Sequence, residues 1–232
     1  MESSAGPLEI SDCLFAHNRG DGVDSKCRQT YVHDTIIANN YGDSLKLWGD
    51  GSKVENVLIY GDGDGDPDNG AWASIVVHAE QPAAFEFVNV TVDDNVTRGN
   101  YPVYMQYGET VPVTVTLRNC IIAHGSNVIY MEDCVTLEAR SCLLYRTGDP
   151  EQPVIHANGR DYVPAELGQL GAGNLSADPK FVTRAWGTAG DYHLQPGSPA
   201  IDAGTATEAP AADLEGTPRP QGTGFDMGAY ER

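Results

Sequence analysis

Along the first two thirds of this chain the apolar and polar positions recur in one block, a small polar residue followed by three mostly apolar ones. The block reads Asp12-Cys-Leu-Phe15, Asp34-Thr-Ile-Ile37, Asn56-Val-Leu-Ile59, Asn89-Val-Thr-Val92, Asn119-Cys-Ile-Ile122 and Ser141-Cys-Leu-Leu144. Its heads stand 22, 22, 33, 30 and 22 residues apart, a base period with two longer coils that carry insertions. Self-similarity at such a period marks a solenoid. Neighbouring positions follow the same period: Gly20-Asp21 returns as Gly42-Asp43, and Val23 and Ser25 align with Leu45 and Leu47. Ahead of each head, Ile10, Val32, Val54, Phe87, Leu117 and Ala139 alternate with Ser11, His33, Glu55, Val88, Arg118 and Arg140, as in half-buried strands. An apolar period of 3.6 is never sustained, because Gly, Pro, Asn and Asp interrupt every candidate helix. The pattern predicts an all-β chain folded as a right-handed parallel β-helix, a single-stranded solenoid with rungs ~4.8 Å apart.

Asn and Asp tolerate left-handed backbone and suit a tight turn at the head of each block. Cys13, Cys120 and Cys142 share the next column, and Cys27 and Cys134 share another, so the thiols read as fillers of a narrow core. Five cysteines without a CxxC pair indicate neither a zinc site nor a fully paired disulfide framework. Which two of the three apolar columns face inward is left open by periodicity.

The last third carries Gly173-Asn174, Ala177-Asp-Pro-Lys-Phe-Val182, Asp191-Tyr-His-Leu-Gln-Pro-Gly-Ser-Pro-Ala-Ile-Asp-Ala-Gly204, Pro218-Arg-Pro-Gln221 and Phe225-Asp-Met-Gly-Ala-Tyr-Glu231. These motifs resemble the C-terminal region of secreted bacterial right-handed β-helix repeat proteins of the pectin-lyase-like superfamily. The resemblance implies one domain over 1–232, with repeat rungs over 8–170 and a segment over 171–232 that closes the solenoid, and an extracellular or cell-surface address. No signal peptide is visible at the N-terminus. Asp202, Asp213, Arg219 and Asp226 then read as side chains that satisfy the last rung's exposed backbone. The chain begins inside a rung, and an open first edge invites pairing with another copy.

Lys and Arg number 14 against 33 Asp and Glu, a net charge of -19 that repels phosphate backbones, so no nucleic-acid partner is expected. No run of ~18 apolar residues supports membrane insertion. A polyuronate would be repelled too unless a cation bridged it. The loop Gly61-Asp-Gly-Asp-Gly-Asp-Pro-Asp-Asn-Gly70 offers such a cation: Asp62, Asp64, Asp66 and Asp68 repel one another unless a hard ion, Ca2+, lies among them. The loop resembles the start of an EF-hand, departing from it at Pro67 and Ala73; the other reading is a solvated acidic insertion. No organic cofactor is expected, since phosphate-loop and dinucleotide fingerprints are missing.

Three constellations suggest chemistry. Lyases of the resembled fold abstract a proton with Arg or Lys, and Arg118 and Arg140 on adjacent rungs suit that role, in a column shared with His33 and Glu55. Asp93-Asp94 and His124-Gly125 occupy matching columns, similar to paired motifs of pectin-type hydrolases, where carboxylates supply acid and base; a polar turn stack is the alternative. Trp48, Trp72, Tyr101, Tyr104 and Tyr107 follow the block strands, where rings stack on sugars or pack beneath loops. Asn89-Val-Thr91, Asn95-Val-Thr97 and Asn174-Leu-Ser176 fit the glycosylation sequon. The functional expectation is an extracellular or cell-surface module that interacts with polysaccharide or a surface glycan without turnover. The alternative is a lyase or glycoside hydrolase acting on a pectate-like acidic polysaccharide, assisted by calcium.

Overall fold

The computed structural model describes residues 6–68, 71–94 and 101–232. Two parallel sheets wind into a β-helix. The first, here the corner sheet, has a leading flank of Leu8–Ser11, the first halves of Thr30–Ala38 and Ser52–Tyr60, then Ala83–Val88, Val113–Arg118 and Val135–Arg140. Its trailing flank holds Leu14–Ala16, the second halves of the two long strands, Thr91–Asp93, Ile121–Gly125 and Leu143–Arg146. The second, the facing sheet, stacks Val23–Ser25, Leu45–Leu47, Ala73–Val77, Tyr101–Met105, Ile129–Met131 and Ile155–Ala157, and Arg160–Tyr162 closes it antiparallel.

One residue makes each corner between the flanks. Asp12, Asp34, Asn56, Asn89, Asn119 and Ser141 all have φ between 47° and 53°, the left-handed region in which short polar side chains cost least. The register confirms the column: His33 pairs with Ser11 and Glu55, Val88 with Glu55, and Arg118 with Val88 and Arg140. The polar heads link rungs, Asn56 Nδ2 donating to Asp34 Oδ1 at 3.0 Å and Asn119 Nδ2 to Asn89 Oδ1 at 3.2 Å.

The three apolar columns now separate. Val57, Val90, Cys120 and Cys142 point into the solenoid with Ile37, Ile59, Val92, Ile122 and Leu144. The middle column, Ile36, Leu58, Ile121 and Leu143, points out of it. Cys120 and Cys142 fill the core as expected, half-buried Cys134 packs against it from a turn, Cys27 is half-buried, and Cys13 is exposed on the first rung. That first rung is a sheet edge, with Leu14 67% exposed.

The C-terminal segment closes the solenoid only with its first residues, 171–175, together with the stretch just before them: the 3-10 turn Pro164–Gln169 seats Leu167 and Leu170 in the core. Leu170 O, Ala172 O and Leu175 O accept from the last rung's Ala139, Ser141 and Leu144 amides. Residues 176–232 instead form a strap along the outside of the trailing flank, where Phe181, Tyr192, Leu194, Met227 and Ala229 cover Leu58, Ile121 and Leu143. An outward aliphatic column left in water would forgo about 25 cal/mol per Å2 of burial, which is why the chain folds back over it. Corner amides dock the strap: Asn56 Nδ2 donates to Ala212 O, Asn89 Nδ2 to Gly228 O and Asn119 Nδ2 to Thr205 O, all at 2.8–2.9 Å.

Asp202, Asp213, Arg219 and Asp226 therefore wire the strap and not the last rung. Arg219 Nη1 lies 2.7 Å from Glu231 Oε2 with both side chains fully buried. Asp213 accepts from the amides of Glu215, Thr217 and Glu231, Asp226 from those of Asp202 and Arg232, and Asp202 from that of Gly224. Among the described residues no helix is long and apolar enough to cross a membrane.

Candidate functional site

On the facing sheet Val103 and Met105 point inward, so alternation turns Tyr104 out. Its column runs in register across six rungs: Asp24, Lys46, Val76, Tyr104, Tyr130 and His156. Insertions at the strand ends add Trp72, Tyr101 and Tyr107. The ring centroids of Trp72 and Tyr104 are 4.8 Å apart, Tyr104 and Tyr130 5.0 Å, Tyr101 and Tyr104 4.7 Å edge-on, and Trp72 and Tyr107 5.1 Å edge-on. Tyr104 is the post against which the others lean, only 8% exposed, its hydroxyl donating to Glu132 Oε1 at 3.0 Å. Burial first, then the Glu132 hydrogen bond and charge, push its phenol well above the ordinary range. Tyr107 is 59% exposed, and Trp72, Tyr101 and Tyr130 are half-buried.

His156 ends the row, stacked on Tyr130 at 4.8 Å and 10°. Its Nδ1 lies 2.7 Å from Asp161 Oδ1 and its Nε2 3.3 Å from Asp133 Oδ1. Burial alone would lower its pKa; the two carboxylates outweigh that and raise it. At the other end Trp48 packs 4.6 Å from His78, with Lys26 Nζ 4.3 Å above the Trp48 ring and Asp24 accepting from both Lys26 and Trp48 Nε1. The structure thus gathers Trp72, Tyr101, Tyr104 and Tyr107 and sets Trp48 at the far end. Tyr130 and His156 escaped sequence reasoning, although each stands 26 residues beyond the preceding member of the row.

Arg118 and Arg140 do meet, in a cleft of about 300 Å3 between the leading flank and the strap, lined also by Glu138, Ser141, Thr205 and Thr207. Both are engaged by carboxylates. Arg118 Nη1 bonds Glu86 and the strap's Glu208, and Arg140 Nε lies 2.5 Å from Glu138 Oε1. His33 sits between Asp34 at 2.7 Å and Glu9 at 3.1 Å, while Glu55 accepts from Tyr31 and pairs with Lys53.

Asp94 and His124 share a column on successive rungs, the Asp94 amide donating to Ala123 O. The His124 ring, however, turns to Asp93, with Nδ1 2.7 Å from Oδ1. Asp93 is fully buried and also accepts from Arg184 Nε at 3.1 Å and the Tyr192 hydroxyl at 2.9 Å, both from the strap. This turn stack is a clasp closed by the strap. Asn89 of the first sequon is likewise buried beneath the strap; Asn95-Val-Thr97 lies outside the described residues.

The acidic loop divides its carboxylates. Asp62 turns inward, fully buried against Ser44, and burial raises its pKa to about 7 despite that hydrogen bond. Asp64 lies 2.6 Å from His17 Nδ1, and Asp66 accepts from the Asp68 amide. Among the described residues no three His, Cys, Asp or Glu converge as ligands. Asn69 and Gly70, the end of that loop, lie outside the described residues.

No family model and no curated protein sequence matches the chain. A crystal structure of pectate lyase Pel9A does match in shape, with a TM-score of 0.52 at 11% identity over 97% of this chain. The chain spans 65% of the length of that lyase chain. With its two stacked parallel sheets and single-residue corners, the chain has the pectin-lyase-like parallel β-helix fold.

Proposed function

We propose that this protein is an extracellular module that binds an extended polysaccharide along the outer face of its facing sheet. The aromatic row carries the reading, because exposed Tyr107 and the half-buried Trp72, Tyr101 and Tyr130, held around buried Tyr104, offer ring surface over successive rungs to sugars with apolar faces. The similarity to a pectate lyase is in keeping with a carbohydrate partner. The reading is binding without turnover. A second reading, polysaccharide cleavage, rests on Arg118 and Arg140 side by side in a cleft.

Calorimetry of the intact chain against neutral, acidic and amino-sugar oligosaccharides tests both. Binding to at least one class, weakened tenfold or more by Trp72→Ala with Tyr107→Ala and unchanged by Arg140→Ala, is the expected result. Absence of binding throughout removes the proposal. Unsaturated or reducing ends released in the same incubations, and lost in Arg118→Ala, establish cleavage instead.

A further inference from the structure

We infer that the glycan taken by this face is cationic, a chain of amino sugars with free, protonated amines. The inference rests on the polysaccharide-binding reading and adds the ligand's charge. Carboxylates rim the rings: Glu132 beside Tyr104, Asp133 and Asp161 on His156 where it stacks on Tyr130, Glu109 near His78 and Asp24 beside Trp48. Two of them reach well into water, the Asp133 and Asp161 side chains being 83% and 60% exposed.

The face already shows how it treats a positive group. Lys26 lies over Trp48 with Asp24 at 2.8 Å, and His156 stacks on Tyr130 with a carboxylate on each ring nitrogen. In both places a nitrogen-bearing group rests on an aromatic face with a carboxylate alongside, the arrangement that favours a desolvated cation. Between these ends stand half-buried Trp72 and exposed Tyr107, grouped around Tyr104 and its partner Glu132, and among the described residues no Lys or Arg lies over either of the two outer rings. The ligand's amines complete the series. A uronate chain would meet the same rim, and a net charge of -19, as like charge. A neutral chain would gain stacking alone.

The test titrates the intact chain with glucosamine oligomers, their fully N-acetylated counterparts and galacturonate oligomers of equal length, at a pH where the amines are protonated. Glucosamine oligomers should bind at least tenfold more tightly than the acetylated series, with that advantage erased by high salt and by Glu132→Gln with Asp133→Asn. Trp72→Ala should weaken both series, which separates stacking from diffuse attraction to an acidic protein. Equal or tighter binding of the acetylated or uronate series overturns the cationic class and leaves polysaccharide binding standing. Glucosamine binding indifferent to Trp72→Ala also overturns it, and no binding by any series removes both readings.

Discussion

Two outward columns of the same solenoid meet opposite fates. On the trailing flank Ile36, Leu58, Ile121 and Leu143 lie beneath the chain's own C-terminal strap. On the facing sheet Tyr104, Tyr130 and His156 occupy an equivalent outward column, and among the described residues no such strap covers them. The difference lies in the side chains. An aliphatic column has no polar edge and must be covered, and here the cover is intramolecular. A Tyr or His has an apolar face and a polar tip, so neighbouring rings bury part of it while Glu132, Asp133 and Asp161 satisfy the rest.

The covered face should break first. Arg219→Ala leaves Glu231 buried without its cation and should cost about 3–5 kcal/mol in urea unfolding. A loss below about 1 kcal/mol would mean that the strap is not held through this pair. Leu143→Ala, under the strap, should cost about 2–5 kcal/mol. Tyr130→Ala on the open face should cost about 1 kcal/mol or less, half-exposed rings having less burial to lose. Equal losses in these two variants would erase the distinction between the faces.

Asp62 sharpens the comparison from the seam between them. Its folded pKa of about 7 stands above the ordinary 3.8, so the native state holds a proton that the unfolded chain gives up. That stability is complete below the ordinary value and is lost as pH rises towards 7. Asp62→Asn should therefore match the parent near pH 4 and exceed it above pH 7, by about 2–3 kcal/mol after allowance for relaxation around a buried charge. A gain independent of pH would contradict the assignment.

The corners were fully legible in the sequence, because a left-handed residue constrains its own identity: Asp12, Asp34, Asn56, Asn89, Asn119 and Ser141 stand where the spacing put them. Three consecutive apolar residues do not reveal which one faces out, since that depends on a cover contributed by a distant part of the chain, Phe181 to Ala229. The strap's position was hidden for the same reason; its charged residues looked like a cap and proved to hold a lateral clamp. At the candidate site Trp72 and Tyr104 are singled out by their chemistry in the sequence, but their union with Tyr130 and His156 depends on register through two insertion-bearing coils. The pairing of His124 with Asp93 and not Asp94 is a choice of side-chain direction at a left-handed turn, which residue spacing does not encode.

The strap also makes the repeat countable. Most solenoids gain or lose a coil with little penalty, because each coil touches only its neighbours. Here one continuous segment grips Asn56, Asn89 and Asn119 at three fixed levels and reaches on to Asn39, whose Oδ1 accepts from the Gly187 amide. A coil inserted between those levels would shift every later grip by a full ~4.8 Å strand spacing. The strap thus works as a tally stick notched to this number of coils, so that variation in length is confined to turns and to the ends of the stack.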